Sequence, residues 1–111
     1  MTTETEIKKA IHARLRAILP RIVRVQSGMF RLRGRVVHAA DAGTPDLLGF
    51  CPHGRVVAIE VKTCDGEATE EQSRFLADVV FAGGIAAVCD SVESAEAVIR
   101  AKCAGHEEAA L

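Results

Sequence analysis

Two apolar runs separated by three turn-forming residues constrain this chain more than any other stretch. Gly43-Thr44-Pro45-Asp46-Leu47-Leu48-Gly49-Phe50 and Arg55-Val56-Val57-Ala58-Ile59-Glu60-Val61-Lys62-Thr63 flank a Pro52-His53-Gly54 break, a pattern that predicts a β-hairpin. With the break centred on His53, cross-strand partners have numbers that sum to 106, as Phe50 and Val56 do. Leu48 then faces Ala58, and Asp46 faces Glu60. Opposed residues lie roughly 5 Å apart at Cβ, and strand alternation puts Lys62 on the Glu60 face, diagonal to Asp46. Two carboxylates that close are unfavourable unless a cation sits between them. The bland alternative is a charge network on an edge hairpin. Against it, surface pairs contribute little stability, and Val57, Ile59 and Val61 mark the second strand as central.

The chain has 111 residues, about half of them apolar, which suits one globular domain over 1–111 with two layers around a sheet. No run approaches the roughly 18 apolar residues of a spanning helix. The start, Met1-Thr2-Thr3-Glu4-Thr5-Glu6, lacks the basic and apolar regions of a signal peptide, so a cytoplasmic protein with no membrane association is expected. Cys51, Cys64, Cys89 and Cys103 form no CxxC and no zinc-knuckle spacing. They are expected to be reduced, structural thiols. His12, His38, His53 and His106 show no ligand spacing either.

The net charge of −1 hides an asymmetry. From Ile7 to Ala40 there is no acid, while Lys8, Lys9, Arg14, Arg16, Arg21, Arg24, Arg31, Arg33 and Arg35 all fall there. From Cys64 onward acids dominate. Such a split suggests that one half contacts a polyanion, the alternative being arginines that merely solvate a helix and a hairpin.

In chain order, Ile7, Ile11, Leu15 and Ile18 predict a helix from Glu4 to Leu19, stopped by Pro20. Helical phase places Glu4 near the apolar stripe and Glu6 on its flank. Glu4 is then either a dipole-favouring terminal acid or a carboxylate pointing inward. Arg21 to Gln26, Met29 to Arg33 and Arg35 to His38 read as strands carrying alternate arginines, with turns at Ser27-Gly28 and Gly34. Past the hairpin, Thr69-Glu70-Glu71-Gln72 matches a capping box, Phe75, Leu76, Val79 and Val80 supply a stripe, and Gly83-Gly84 end that helix. Ile85 to Cys89 is a buried strand, expected parallel to Arg55 to Thr63. Ser91 caps a last helix with Val92, Ala95, Val98 and Ile99 inward, and residues 104–111 are expected to be a tail. The fold class is α/β, a mixed central sheet flanked by helices in the order α-β-β-β-β-β-α-β-α.

A converging carboxylate pair is a hard-oxygen site, suited to Mg²⁺ or Mn²⁺. The backbone carbonyl of Val61 could complete the protein's share of the ligands. Such an ion activates water as a nucleophile, and a neighbouring lysine stabilises charge developing on phosphorus. Joined to the arginine-rich half, with Arg24, Arg31, Arg33 and Arg35 as candidate contacts, the ensemble fits phosphodiester hydrolysis.

Pro45-Asp46 followed by Glu60-Val61-Lys62 resembles the PD…ExK signature of restriction-endonuclease-like nucleases. The longer string GTPDLLGF, Gly54-Arg55, IEVKT, Gly66, TEEQ, Phe75-Leu76 and Gly83-Gly84 resembles stand-alone VRR-NUC domains, such as those of phages, over nearly the whole chain. The resemblance implies a restriction-endonuclease-like core and a metal-dependent, structure-selective DNA endonuclease. It also implies a homodimer acting on branched DNA such as Holliday junctions, with no small-molecule cofactor. By that resemblance Asp46, Glu60 and Glu4 are metal ligands, Lys62 is the catalytic lysine, and Gln72 is a further site residue. Ser27-Gly28 would lie near the site. Gln72 is equally accounted for as the third residue of a capping box. The rival function is a nucleic-acid-binding module of the same fold without turnover. A sequence-reading restriction enzyme is a second rival, disfavoured because the chain has no spare recognition domain.

Overall fold

The computed structural model describes residues 2–25, 29–38 and 41–109. Helix α1 spans Glu4–Leu15. Thr3 caps it: its hydroxyl accepts from the Glu6 N–H at 3.1 Å, and Glu6 reaches back to the Thr3 N–H at 3.4 Å. The helix ends four residues before the expected Leu19, because the residue preceding Pro20 is biased away from helical geometry. Short turns carry the chain from Arg16 to Pro20.

Strand β1 (Arg21–Arg24) pairs antiparallel with β4 (Leu47–Phe50), Arg21 opposite Phe50 and Arg24 opposite Leu47. A Cβ on Gly49 would sit 2.2 Å from the Arg21 carbonyl oxygen, so the close approach of β1 to β4 depends on glycine there. Strand β5 (Val56–Val61) pairs antiparallel with β4 in the predicted register, Phe50 opposite Val56 and Leu48 opposite Ala58. Strand β6 (Ile85–Cys89) joins β5 in parallel after α2 (Glu70–Phe81), as the crossover rule requires. The sheet order is β1-β4-β5-β6.

Strands β2 (Met29–Leu32) and β3 (Arg35–His38) stand apart as a two-stranded sheet. The mixed central sheet expected from the sequence is the four-stranded one, and this hairpin lies outside it. β1 finds its partner in the apolar β4, which leaves β2 and β3 to pair with each other. Their turn is Arg33-Gly34, both with positive φ (53° and 77°), the geometry that matches strand twist in a two-residue hairpin loop.

Val57, Ile59 and Val61 share a core with Ile11 and Leu15 of α1 and with Ala95 and Ile99 of α3 (Val92–Ala109). Ala58 points the other way and is equally buried. Both faces of β5 are therefore covered, with α2 lying over β5 and β6. Thr69 and Gln72 form the predicted capping box, and Ser91 accepts from the Ser94 N–H to cap α3. Val80, expected on the inward stripe of α2, is 56% exposed. α3 continues to Ala109 rather than giving way to a tail at 104. No helix among the described residues is long and apolar enough to cross a membrane.

The cysteine expectation is corrected too. Cys51, just past β4, forms a disulfide with Cys103 of α3, leaving Cys64 exposed and Cys89 buried as free thiols. The pair is separated by 52 residues, and only the docking of α3 beside the hairpin brings the two together.

Candidate active site

The site lies where β4 begins and β5 ends. Regular pairing of the two strands stops at Leu47 and Ile59. One step beyond, Asp46 replaces ladder bonding with its own side chain: Oδ2 accepts from the Val61 N–H at 2.8 Å. The Asp46 carbonyl accepts from the Val25 N–H at 2.8 Å, tying the residue to the end of β1. The loop before it is held by Gly43 (φ 87°), where a Cβ would meet the backbone of Glu71 at 2.7 Å. Asp46 thus enters the site from a backbone fixed on both sides.

Glu60 is 1% exposed and its carboxyl neighbours that of Asp46. Its Oε2 is buried with no hydrogen-bond partner. Burial, then the Asp46 side chain and its charge, push the Glu60 carboxyl up to about 8, with Lys62 opposing and Glu4 adding to the rise. Burial works the same way on Asp46, but the Glu60 side chain and the hydrogen bonds from Val61 and Lys8 outweigh it and hold the Asp46 carboxyl below its usual value. The two acids are pushed in opposite directions. Near neutral pH Asp46 is the anion and Glu60 the proton holder.

Lys62 follows β5, its N–H donating to the Cys89 carbonyl at 3.1 Å. No acid among the described residues lies within ion-pair distance of its ammonium, which faces Glu60 closely enough to oppose that acid's upward shift. Glu4 opens α1 on the side facing Glu60 and acts on it through space. Glu6 is spent on the Thr3 cap, which leaves Glu4 as the inward acid of the pair. Sequence reasoning missed Lys8: its Nζ is 3.0 Å from Asp46 Oδ1. The available signal was its position one helical turn after Glu4, on the same face.

The remaining expected residues fall differently. Gln72 places its side-chain carbonyl on the Thr69 N–H at 2.8 Å, so the capping role is the one the structure displays. Arg55 donates to the carbonyls of Gly83 and Lys102 and thereby joins the β4–β5 turn to α2 and α3. Arg24, Arg33 and Arg35 are exposed. Ser27 lies outside the described residues, as does the side chain of Arg31.

A converging acid pair with an orphaned buried oxygen fits a hard divalent cation, since such an ion supplies the partner that Glu60 Oε2 lacks. Among the described residues no group of three His, Cys, Asp or Glu side chains is gathered to hold a metal. The protein's share of ligands for such an ion would be the Asp46–Glu60 pair.

The model of the VRR-NUC domain matches residues 3–93, which contain every residue of this cluster. The chain belongs to the VRR-NUC family. It is accordingly a nuclease domain, a hydrolase with DNA as its substrate class, on a restriction-endonuclease-like α/β fold. No curated protein matches this VRR-NUC chain.

Proposed function

We propose that this VRR-NUC protein is a Mg²⁺- or Mn²⁺-dependent endonuclease that cleaves branched DNA, Holliday-junction or flap-like, as a homodimer in the cytoplasm. The observation that carries the reading is the buried Asp46–Glu60 pair, with its orphaned oxygen, beside Lys62, which has no acid partner among the described residues. Asp46 and Glu60 would hold the ion, with Glu4 and the Val61 carbonyl as further donors. When bound, such an ion supplies Lewis-acid polarisation of the phosphate and an activated water.

Lys62 orients the attack and stabilises charge on the phosphoryl oxygens, a role open to it because no acid among the described residues pairs with its ammonium. Gln72, on the family reading, would assist only after leaving Thr69. Arg24, Ser27, Arg31, Arg33 and Arg35 supply backbone contacts that position DNA without reading bases. Two copies related by a twofold axis would present two sites to a junction.

A binding module without turnover is favoured by one observation: Lys8 already neutralises Asp46. Purified protein with Mg²⁺ or Mn²⁺ on four-way, flap and linear DNA separates the two readings. Metal-dependent cutting, strongest on branched substrates, is expected, and failure to cut any of them rejects the enzyme.

A further inference from the structure

Lys8 faces two environments at once. On one side its ammonium touches Asp46. On the other it lines a cleft of about 380 Å³ between α1 and the end of β1, which Thr5, Arg24 and Val25 also line. The polar side chains there are an ammonium, a guanidinium and a hydroxyl, and among the described residues no acid lines the cleft. Arg24 has no acid partner among the described residues. At Arg24 a second cleft begins and runs along α1 and β1 past Arg16 and Arg21. Its walls are fixed to each other where His12 Nε2 meets the Ile22 carbonyl at 3.0 Å. The floor of the first cleft is fixed to the active site through the Val25 N–H on the Asp46 carbonyl. An anion seated there lies beside the carboxylate pair in a set place.

The ion pair itself competes with a metal. A divalent cation approaching Asp46 meets an ammonium already on Oδ1, while the flexible four-carbon stem of a lysine lets its charge move without moving the helix. The side chain of Lys8 is 26% exposed and that of Asp46 10%, so the ammonium leaves this part-buried pair only when a cation takes its place on Asp46 and another anion receives it. Metal on Asp46 and phosphate in the cleft both favour the same movement.

Resting on the nuclease reading above, we propose that the Thr5–Lys8–Arg24 cleft is a subsite for a nucleic-acid backbone phosphate. Lys8 is shared between this subsite and the carboxylate pair, leaving Asp46 for the phosphate when a divalent cation binds. The two ligands then help each other, since each removes a competitor of the other.

Two measurements on the full chain test this. In Mn²⁺ calorimetry without DNA, Lys8→Met binds the ion about threefold to tenfold more tightly than wild type, a modest gain because the ammonium it removes is part-exposed. In EDTA, fluorescence anisotropy with labelled duplex DNA reads the subsite alone. Asp46→Asn, which releases Lys8, tightens binding. Adding Lys8→Met cancels that gain and lowers the salt slope by about one, whereas adding Lys8→Arg preserves it. Unchanged or weaker Mn²⁺ binding in Lys8→Met overturns the sharing. A gain that survives in Asp46→Asn/Lys8→Met overturns the subsite. Absence of Mn²⁺ binding in wild type rejects the metal-dependent reading and the sharing with it, while the EDTA arm still decides the subsite.

Discussion

Glu60 holds its proton beside Asp46 in a buried acid pair, because burial together with the neighbouring Asp46 pushes the Glu60 carboxyl up to about 8. A divalent cation needs both acids ionised, so binding must displace that proton. Mn²⁺ affinity is therefore expected to rise with pH, about tenfold per unit below 8, and to level off above it. Calorimetry in buffers of different ionisation enthalpy should count about one proton released per ion near pH 7. A flat profile between pH 6 and 8 contradicts the raised Glu60 carboxyl.

The same shift makes a stability statement with a definite sign. A carboxyl raised above its unfolded value of 4.5 stabilises the fold fully below that value and loses the contribution as pH climbs through about 8. Asp46, lowered from 3.8, acts in reverse and is lost only on acidification. Above pH 8 the metal-free protein holds two buried anions that, among the described residues, Lys8 and Lys62 offset. Glu60→Gln keeps the shape, supplies Asp46 with an amide donor and removes one charge. Its expected effect is a gain of about 1–3 kcal/mol in EDTA at pH 8.5, read by chemical denaturation. Mn²⁺ binding is lost in the same variant. The acid pair is a functional strain that the surrounding β5 core holds in place.

Lys62 should behave oppositely to the acids. With no acid partner among the described residues, its removal breaks no ion pair. Lys62→Met is expected to stay within about 0.5 kcal/mol of wild-type stability and to keep its Mn²⁺ site. DNA cleavage should fall by two to three orders of magnitude, the usual scale for losing one stabiliser of transition-state charge. A fully active Lys62→Met rejects its assigned role.

Much of this was readable from the chain because it depended on local rules. The 106 register follows from one short turn and two apolar runs, and it sets Asp46 beside Glu60 from the sequence alone. The capping box at Thr69 and the parallel crossover to β6 follow from short-range chemistry and chain handedness. What escaped depends on tertiary docking. Strands β2 and β3 carry alternation that suits any sheet, and only the competition of β1 for β4 excluded them from the central one. Lys8 looked like one of nine bases in an acid-free stretch, and its contact with Asp46 arises from how α1 lies across the sheet. Gln72 fitted two roles equally in sequence, and the geometry at Thr69 displays one of them.

The disulfide offers a test remote from the chemistry. Cys51 lies at the far end of β4 from Asp46, about 17 Å away at the rise of an antiparallel strand. Without reductant, the native chain should show one fast-reacting thiol, the exposed Cys64. Cys89 is buried, with its thiol pushed up by that burial, and should react only on unfolding. Four thiols should appear after reduction. Closing a loop of 52 residues restricts the unfolded chain by an amount worth roughly 4 kcal/mol in the chain-entropy account. Cys51→Ala/Cys103→Ala is accordingly expected to lower Tm by 10 °C or more, with ~4–8 °C per kcal/mol for a domain of this size. Mn²⁺ affinity below that Tm should be unchanged, because the Asp46–Glu60 pair is held by Val25 and Val61 at the other end of the hairpin. Loss of metal binding in the folded double variant contradicts that separation of the staple from the site.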